Sequence, residues 1–325
     1  MIYQARYTRA AIFPRLRTLE LPNGPSMIKC FSTPSLIDIR LDSHAFLDEY
    51  ITDLLPLSRI IKRLILHGSF PEHVLQDLLQ FRNLLRLEIH PFTLRPSNPL
   101  YDFLNNLHQF ADLRHFVCTA TVSFALTKKW HCNLKHIELT GRASSFMHIV
   151  GAGSFTHVVL CFDDGEAISS YHACFEALAR SSSVSLESMI IVSDTFERHD
   201  FPAFQCLQPL LTAHALRILR VIHTQQNLNI VIDDACLAMM ATSWPHLTQL
   251  QLLTSLLSES GQDSRRQPTT KGLHHLMRLP NLKSLSIMSH NEEITLDFPL
   301  NYGSNSTHIS QRLLKYLEWV RRDVE

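Results

Sequence analysis

The fold that this sequence predicts is an α/β leucine-rich-repeat solenoid. It is a horseshoe with a parallel sheet on the concave face and helices and irregular turns on the convex face. Three observations lead there. The motif L-x-x-L-x-L, with other apolar residues allowed at the Leu positions, occurs eleven times in order between residues 16 and 287. The ten steps from Leu16 to Leu282 average about 27 residues, inside the range of roughly 20–29 for such repeats. The segments between motifs are long enough to carry the chain back for another parallel strand.

One complete unit is legible from Asp233 to Leu252, DDACLAMMATSWPHLTQLQL. Asp233 or Asp234 can cap a helix whose apolar stripe is Cys236, Leu237 and Met240. Trp244-Pro245 stops it, because the residue before a proline disfavours the α region. Leu247, Leu250 and Leu252 then lead into and fill one face of a strand. A helix returning to one short strand cannot bury both faces alone, so it needs copies on either side.

The copies begin at Leu16/Leu19/Leu21, Leu36/Ile39/Leu41, Ile61/Leu64/Leu66 and Leu84/Leu87/Ile89. They continue at Leu113/Phe116/Cys118, Leu134/Ile137/Leu139, Phe155/Val158/Leu160 and Leu186/Met189/Ile191. Leu216/Leu219/Val221, Leu247/Leu250/Leu252 and Leu282/Leu285/Ile287 complete the set. An ordinary nucleotide-binding α/β domain would instead show Val/Ile-rich strand runs and phosphate-type glycine loops, and the sequence has neither.

The chain divides into an N-terminal lead (1–13), a repeat domain of about eleven irregular repeats (14–300) and a C-terminal segment (301–325). Among the connectors, Pro71 to Leu79 starts with proline in the first helical turn. Leu100, Phe103, Leu104 and Leu107 share one face of a helix over Leu100 to Phe110. Longer helices are expected over Ala167 to Arg180 and Phe201 to His214. Connectors 118–133 and 140–154 read as too broken for full helices, which predicts turns or 3₁₀ pieces mid-chain. Ser255 to Lys271 is the most polar stretch and reads as an exposed inserted loop. Ser310 to Asp323 is amphipathic, with Leu313, Leu314, Leu317 and Val320 on one side, as a cap on the open end of a solenoid should be.

The 325 residues are 45% apolar and 18% charged, with a formal net charge of zero. That composition suits an ordered, core-rich chain and implies no bulk attraction to nucleic acid or membranes. No apolar run approaches the roughly 20 residues of a membrane span. Residues 1–13 lack a secretory h-region. Arg6, Arg9, Arg15 and Arg17 faintly resemble a transit peptide but run into the first repeat. The seven cysteines form no C-x-x-C pair and read as small buried residues of a reducing compartment. The expected location is cytoplasmic, nuclear or both.

In this architecture the x positions of L-x-x-L-x-L face outward on the concave side. Bases there are Arg17, Arg40, Lys62, Arg63, Arg86, Arg114, Lys135, Arg217, Arg220 and Lys283. Acids are Glu20, Asp38, Glu88, Glu138 and Glu187. His115, His136 and His157 hold equivalent positions in three successive repeats and form a row if the strands are in register. Together with His115 and His136, the ten bases are the candidate partner-binding residues, suited to a protein with an acidic segment. The competing reading is that lysine and arginine are simply common solvent-facing residues beside a strand. The row suggests no metal site, because no cysteine or carboxylate is expected to complete a ligand set.

No G-x-S-x-G, G-x-x-x-x-G-K-[ST], G-x-G-x-x-G or H-E-x-x-H motif occurs. His131-Cys132, His172-x-Cys174 and His274-His275 are local pairs without a third member. No catalytic residue and no cofactor is therefore expected.

The unit at 234–252, the run Thr270-Lys271-Gly272-Leu273-x-x-Leu276 leading to Leu279-Pro280-Asn281-Leu282-Lys283-Ser284-Leu285, and the opening Phe13-Pro14-Arg15-Leu16-Arg17-Thr18-Leu19-Glu20-Leu21 resemble fungal F-box-type leucine-rich-repeat proteins. The resemblance covers nearly the whole chain and rests on structural motifs. It implies the substrate-recognition part of a cullin-type ubiquitin-ligase receptor, holding a target on the repeats. The F-box, an N-terminal three-helix segment that docks the ligase adaptor, has no counterpart before Pro14 and no L-P-x-E-like opening. The expectation is therefore a non-catalytic protein-binding scaffold that lacks its docking half. The alternative is a leucine-rich-repeat inhibitor or regulator of an enzyme or GTPase.

Overall fold

In a computed structural model, the described residues are 13–22, 31, 33–42, 47–68, 70–91, 98–120, 133–162, 166–193, 203–223, 232–253, 270–289 and 292–297. The chain forms two compact units, Met1–Leu186 and Glu187–Glu325.

The first unit contains seven strands: β1 (Thr18–Pro22), β2 (Asp38–Asp42), β3 (Arg63–Gly68), β4 (Arg86–Pro91), β5 (His115–Ala120), β6 (His136–Gly141) and β7 (His157–Phe162). Each pairs in parallel with the next, in sequence order and without slippage. The fourth and sixth motif positions alternate into the core: Ile39, Leu64, Leu66, Leu87, Ile89, Phe116, Cys118, Ile137, Leu139, Val158 and Leu160 are all fully buried. A slip of one residue would turn this whole apolar set into solvent, and that fixes the register.

The return segments are α1 (Asp48–Leu54), α2 (Glu72–Leu78), α3 (Asn98–Asn105), α4 (Ala143–Val150) and α5 (Ile168–Ser182). Helix α1 packs on α2, α2 on α3 and α4 on α5. Pro71 sits at the N-cap of α2 in an extended conformation, which suits its missing N–H. Helix α4 corrects the expectation that 140–154 is too broken for a helix. Ala143, Phe146, Ile149 and Val150 are buried, and the Glu166 carboxylate accepts from the Ser144 backbone N–H at 2.9 Å and from its hydroxyl at 2.5 Å. A cap that arrives from 22 residues away leaves no local signal. Connector 140–154 therefore holds α4 rather than turns, and the fifteen-residue α5 lies where a longer helix over Ala167 to Arg180 was expected. Residues 121–132, within the other connector, lie outside the described residues.

The second unit contains β8 (Ser188–Ser193), α6 (Ala203–Leu207) running into a 3₁₀ turn (Gln208–Thr212), β9 (Ile218–His223), α7 (Asp234–Ser243), β10 (Gln249–Leu253), α8 (Thr270–Met277), β11 (Ser284–Ser289) and β12 (Glu292–Asp297). Strands β8 to β11 are parallel and in register. Asp233, not Asp234, is the N-cap of α7, and its carboxylate accepts from the Cys236 N–H at 2.8 Å. The helix ends at Trp244, as the following proline requires. That indole is fully buried and donates to the Leu210 carbonyl at 3.0 Å. Strand β12 was not anticipated. It pairs antiparallel with β11, placing Leu296 opposite Leu285 and Ile294 opposite Ile287. The polar insert from 255 to 269 and the proposed C-terminal helix lie outside the described residues.

Strand–helix units of this length, repeated in order with every strand parallel from β1 to β7 and from β8 to β11, make the chain an α/β leucine-rich-repeat solenoid.

Candidate functional site

The register sorts the outward side chains of the first unit into three rows. Directly ahead of each buried strand residue stand Thr18, Asp38, Arg63, Arg86, His115, His136 and His157. Two residues further along stand Glu20, Arg40, Ile65, Glu88, Val117, Glu138 and Val159. Two further still come Asp42, His67, His90, Thr119, Thr140 and Cys161.

A fourth row lies one residue before the strands: Arg17, Ile37, Lys62, Leu85, Arg114, Lys135 and Thr156. Its backbone explains its regularity. Each carbonyl from Arg17 to Lys135 accepts two N–H groups of the next repeat. The Lys62 carbonyl, for example, takes Leu85 N–H at 2.8 Å and Arg86 N–H at 3.1 Å. This forked ladder extends the sheet by one residue and forms its leading edge.

The candidate residues divide between these places. Arg40, Arg63 and Arg86 lie on the sheet face, as Arg220 does in the second unit. Arg17, Lys62, Arg114 and Lys135 lie on the leading edge, with Arg217 and Lys283 at the equivalent edge of the second unit. The acids follow a different distribution: Glu20, Asp38, Glu88 and Glu138 are all on the face, and only Glu187 is on an edge. With Asp42 of the third row added, the described face positions hold four bases and five acids, and the excess of base is confined to the edge.

Pairing sharpens the contrast. On the face, Arg63 meets Asp38 at 3.0 Å, Arg40 meets Glu20 at 3.5 Å, and Arg86 binds Glu88. Glu88 is 8% exposed. Burial alone would raise its pKa, but hydrogen bonds from His90 and Arg86 and their charges outweigh it and hold the carboxyl down at about 2. Arg220 donates to the Gln249 side chain at 3.1 Å. On the edge of the first unit, Arg17, Lys62, Arg114 and Lys135 have no ion-pair partner among the described residues. Between the first three of these bases, Ile37 and Leu85 are 40% and 37% exposed, so the edge there alternates cationic and apolar side chains.

The expected histidine row is present. His115 and His136 stack with centroids 3.9 Å apart and planes 11° from parallel, and His136 and His157 follow at 5.8 Å and 8°. Burial lowers the pKa of His115, helped by His136 and Arg86, to about 4. Burial and the neighbouring His157 lower that of His136. A second stack, His67 on His90 at 4.4 Å, was missed. Its members fall one residue past the L-x-x-L-x-L motif, although each follows an L-x-[LI] run. One expectation needs correcting. A carboxylate does stand beside the histidine row, because Glu138 lies two residues beyond His136 on the same face of β6. The ligand atoms of His115, His136 and Glu138 all lie within 4.8 Å of one another.

Of the described cysteines, only Cys161 stands on the face, half-buried; the others are buried. Cys118, Cys161, Cys174, Cys206 and Cys236 are all free thiols. Burial pushes the thiols of Cys118, Cys206 and Cys236 up to about 12 and that of Cys174 higher still. These four form no nucleophilic thiolate near neutrality. Among the described residues no helix is long and apolar enough to cross a membrane.

No family model matches the chain, and no curated protein matches it. Among solved structures the chain is similar to an internalin from Listeria monocytogenes. The identity is 11% and the TM-score 0.38, over 79% of this chain and 75% of the internalin chain. A likeness that distant bears on neither partner nor activity.

Proposed function

We propose that this chain is a non-catalytic scaffold that binds a protein partner along the leading edge of its first unit. One observation carries the reading. Arg17, Lys62, Arg114 and Lys135 have no ion-pair partner among the described residues, and the exposed Ile37 and Leu85 stand between the first three of them along a hydrogen-bonded ladder. Strands about 4.8 Å apart set these side chains over about 24 Å from the first strand to the sixth. A matching partner carries acidic and apolar side chains in alternation. Its carboxylates meet bases without an ion pair among the described residues, so binding costs no broken ion pair there. The paired face charges lack that advantage.

The motif resemblance to F-box-type repeat proteins supports a finer version: the chain presents a target as a ubiquitin-ligase substrate receptor does, in the cytoplasm or nucleus. The free, buried cysteines suit such a reducing compartment.

The test compares Lys62→Glu/Arg114→Glu/Lys135→Glu with the face variant Arg63→Glu in affinity capture followed by measurement of each captured protein's Kd. The edge variant is expected to weaken a direct partner by at least tenfold, with binding by wild type falling as salt rises. The face variant should stay within about threefold. A partner that binds the edge variant normally overturns the edge reading. Recovery of a cullin-ligase adaptor supports the receptor version, and capture of an enzyme whose activity falls on binding replaces it with a regulator.

A further inference from the structure

We propose that His115, His136 and Glu138 form a binding site for a zinc-class divalent metal ion on the sheet face of the first unit. This rests on different residues from the edge docking surface and stands independently of it.

The placement follows from the register. His115 and His136 are Cα partners on neighbouring parallel strands, β5 and β6. Glu138 is two residues beyond His136, so it emerges on the same side of the sheet. One ligand atom from each residue lies within 4.8 Å of the other two. Around a tetrahedral ion with bonds of about 2.0–2.1 Å, ligand atoms stand roughly 3.4 Å apart. Because an ion lies in the plane of each imidazole it ligates, closing the site takes rotation of one ring out of the stack as well as a shortening of the spacing between ligand atoms.

Three features distinguish this cluster from chance. The Nε2 atom of His115 is buried and has no hydrogen-bond partner. A buried polar atom left unsatisfied costs about 1–3 kcal/mol, and coordination would satisfy it. Glu138 is half-buried, and among the described residues it has neither an ion pair nor a hydrogen bond. The ligand nitrogens of His115 and His136 and a carboxylate oxygen of Glu138 come together on one face of neighbouring strands, all within 4.8 Å. Arg86, the nearest cation on the same row, is already engaged by Glu88. Two imidazoles and one carboxylate suit zinc, copper, nickel or cobalt, and not calcium or magnesium, which take oxygen ligands. Three protein ligands leave one position of a tetrahedron for water or a partner's side chain.

The second histidine stack is the internal control. His67 and His90 stack similarly, but the carboxylate beside them, Glu88, is taken by Arg86 and His90.

The experiment titrates the full chain, stripped with a chelator, with Co²⁺, reads the visible d–d absorption, and then displaces the cobalt with Zn²⁺. Expected are one saturating site with a tetrahedral or five-coordinate spectrum and stoichiometric displacement by zinc. His136→Gln and Glu138→Gln should each weaken binding at least tenfold, and His67→Gln should leave it unchanged. Glu138→Gln alters a side chain without intramolecular bonds and keeps the fold, which circular dichroism checks. The proposal fails if no saturable cobalt site appears, if binding survives His136→Gln and Glu138→Gln, or if His67→Gln removes it.

Discussion

The imidazole of His115 lies 3.9 Å, centroid to centroid, from that of His136, with the two planes 11° from parallel. Two cations cannot share that spacing in a partly buried setting without repulsion. Burial first and the neighbouring His136 second lower the pKa of His115, so protonating that ring works against the fold.

The first prediction concerns acid. The pKa of His115 falls from 6.5 to about 4 on folding, so between those values the unfolded chain binds more protons there. Stability is full above pH 6.5 and is lost as pH falls through that window. The melting temperature of wild type should drop from pH 7.5 to pH 5 by several degrees more than that of His115→Asn. Equal slopes in thermal melts monitored by circular dichroism would rule the stack out as the source.

Glu88 predicts a second, lower window. Its folded pKa of about 2, against 4.5 ordinarily, makes it stabilising above pH 4.5, with that contribution lost as pH falls towards 2. Arg86→Met removes one of the two donors that hold the carboxylate. It should move the loss towards higher pH, visible as an acid-unfolding midpoint shifted upward.

Trp244 tests the core of the second unit. Its indole is fully buried and its N–H is satisfied by Leu210. Trp244→Ala should cost about 3–5 kcal/mol in urea unfolding. Trp244→Phe keeps most of the volume and leaves the Leu210 carbonyl accepting the Ala213 N–H at 2.9 Å, so it should cost only about 0.5–1.5 kcal/mol for the lost hydrogen bond. A loss below 1 kcal/mol for the alanine variant would contradict the packing described.

Gly272 tests how closely α7 and α8 approach. A Cβ at this position would stand 2.9 Å from the Asp234 Cα and 2.3 Å from its carboxylate. Gly272→Ala should therefore destabilise by about 1–3 kcal/mol, although alanine is the better helix former. A stabilised variant would show that the helices stand further apart.

Ser182 tests a joint between repeats. Its buried hydroxyl accepts from the Phe155 backbone N–H at 3.0 Å, and the Ser185 hydroxyl donates to the Phe155 carbonyl at 2.9 Å. Ser182→Ala leaves a buried donor unpaired, at a cost of about 1–3 kcal/mol. Ser183→Ala, a residue later in the same serine run, should change stability by less than about 0.5 kcal/mol. Denaturant midpoints for the two variants decide it.

The sequence by itself determined the repeat, its strands and its register. The pattern is period-two apolar spacing recurring about every 27 residues, and burial of one face enforces it at every step, from Leu19 to Ile287. It also determined that His115, His136 and His157 share a row, because in-register parallel strands preserve motif position. Local chemistry was enough to read the cap at Asp233 and the stop at Trp244. Tertiary structure decided what depends on residues distant in sequence. Helix α4 forms because Glu166 reaches back to Ser144. Strand β12 pairs antiparallel with β11, a contact that no repeat motif in the sequence announces. The charges of ten aligned bases look alike in sequence. Cross-strand acids pair with Arg40 and Arg63 and a same-strand acid pairs with Arg86 on the face, while Lys62, Arg114 and Lys135 on the edge have no ion-pair partner among the described residues. Glu138 joins the histidines for the same reason: which side chains converge depends on two strands lying side by side, a distance that no single repeat contains.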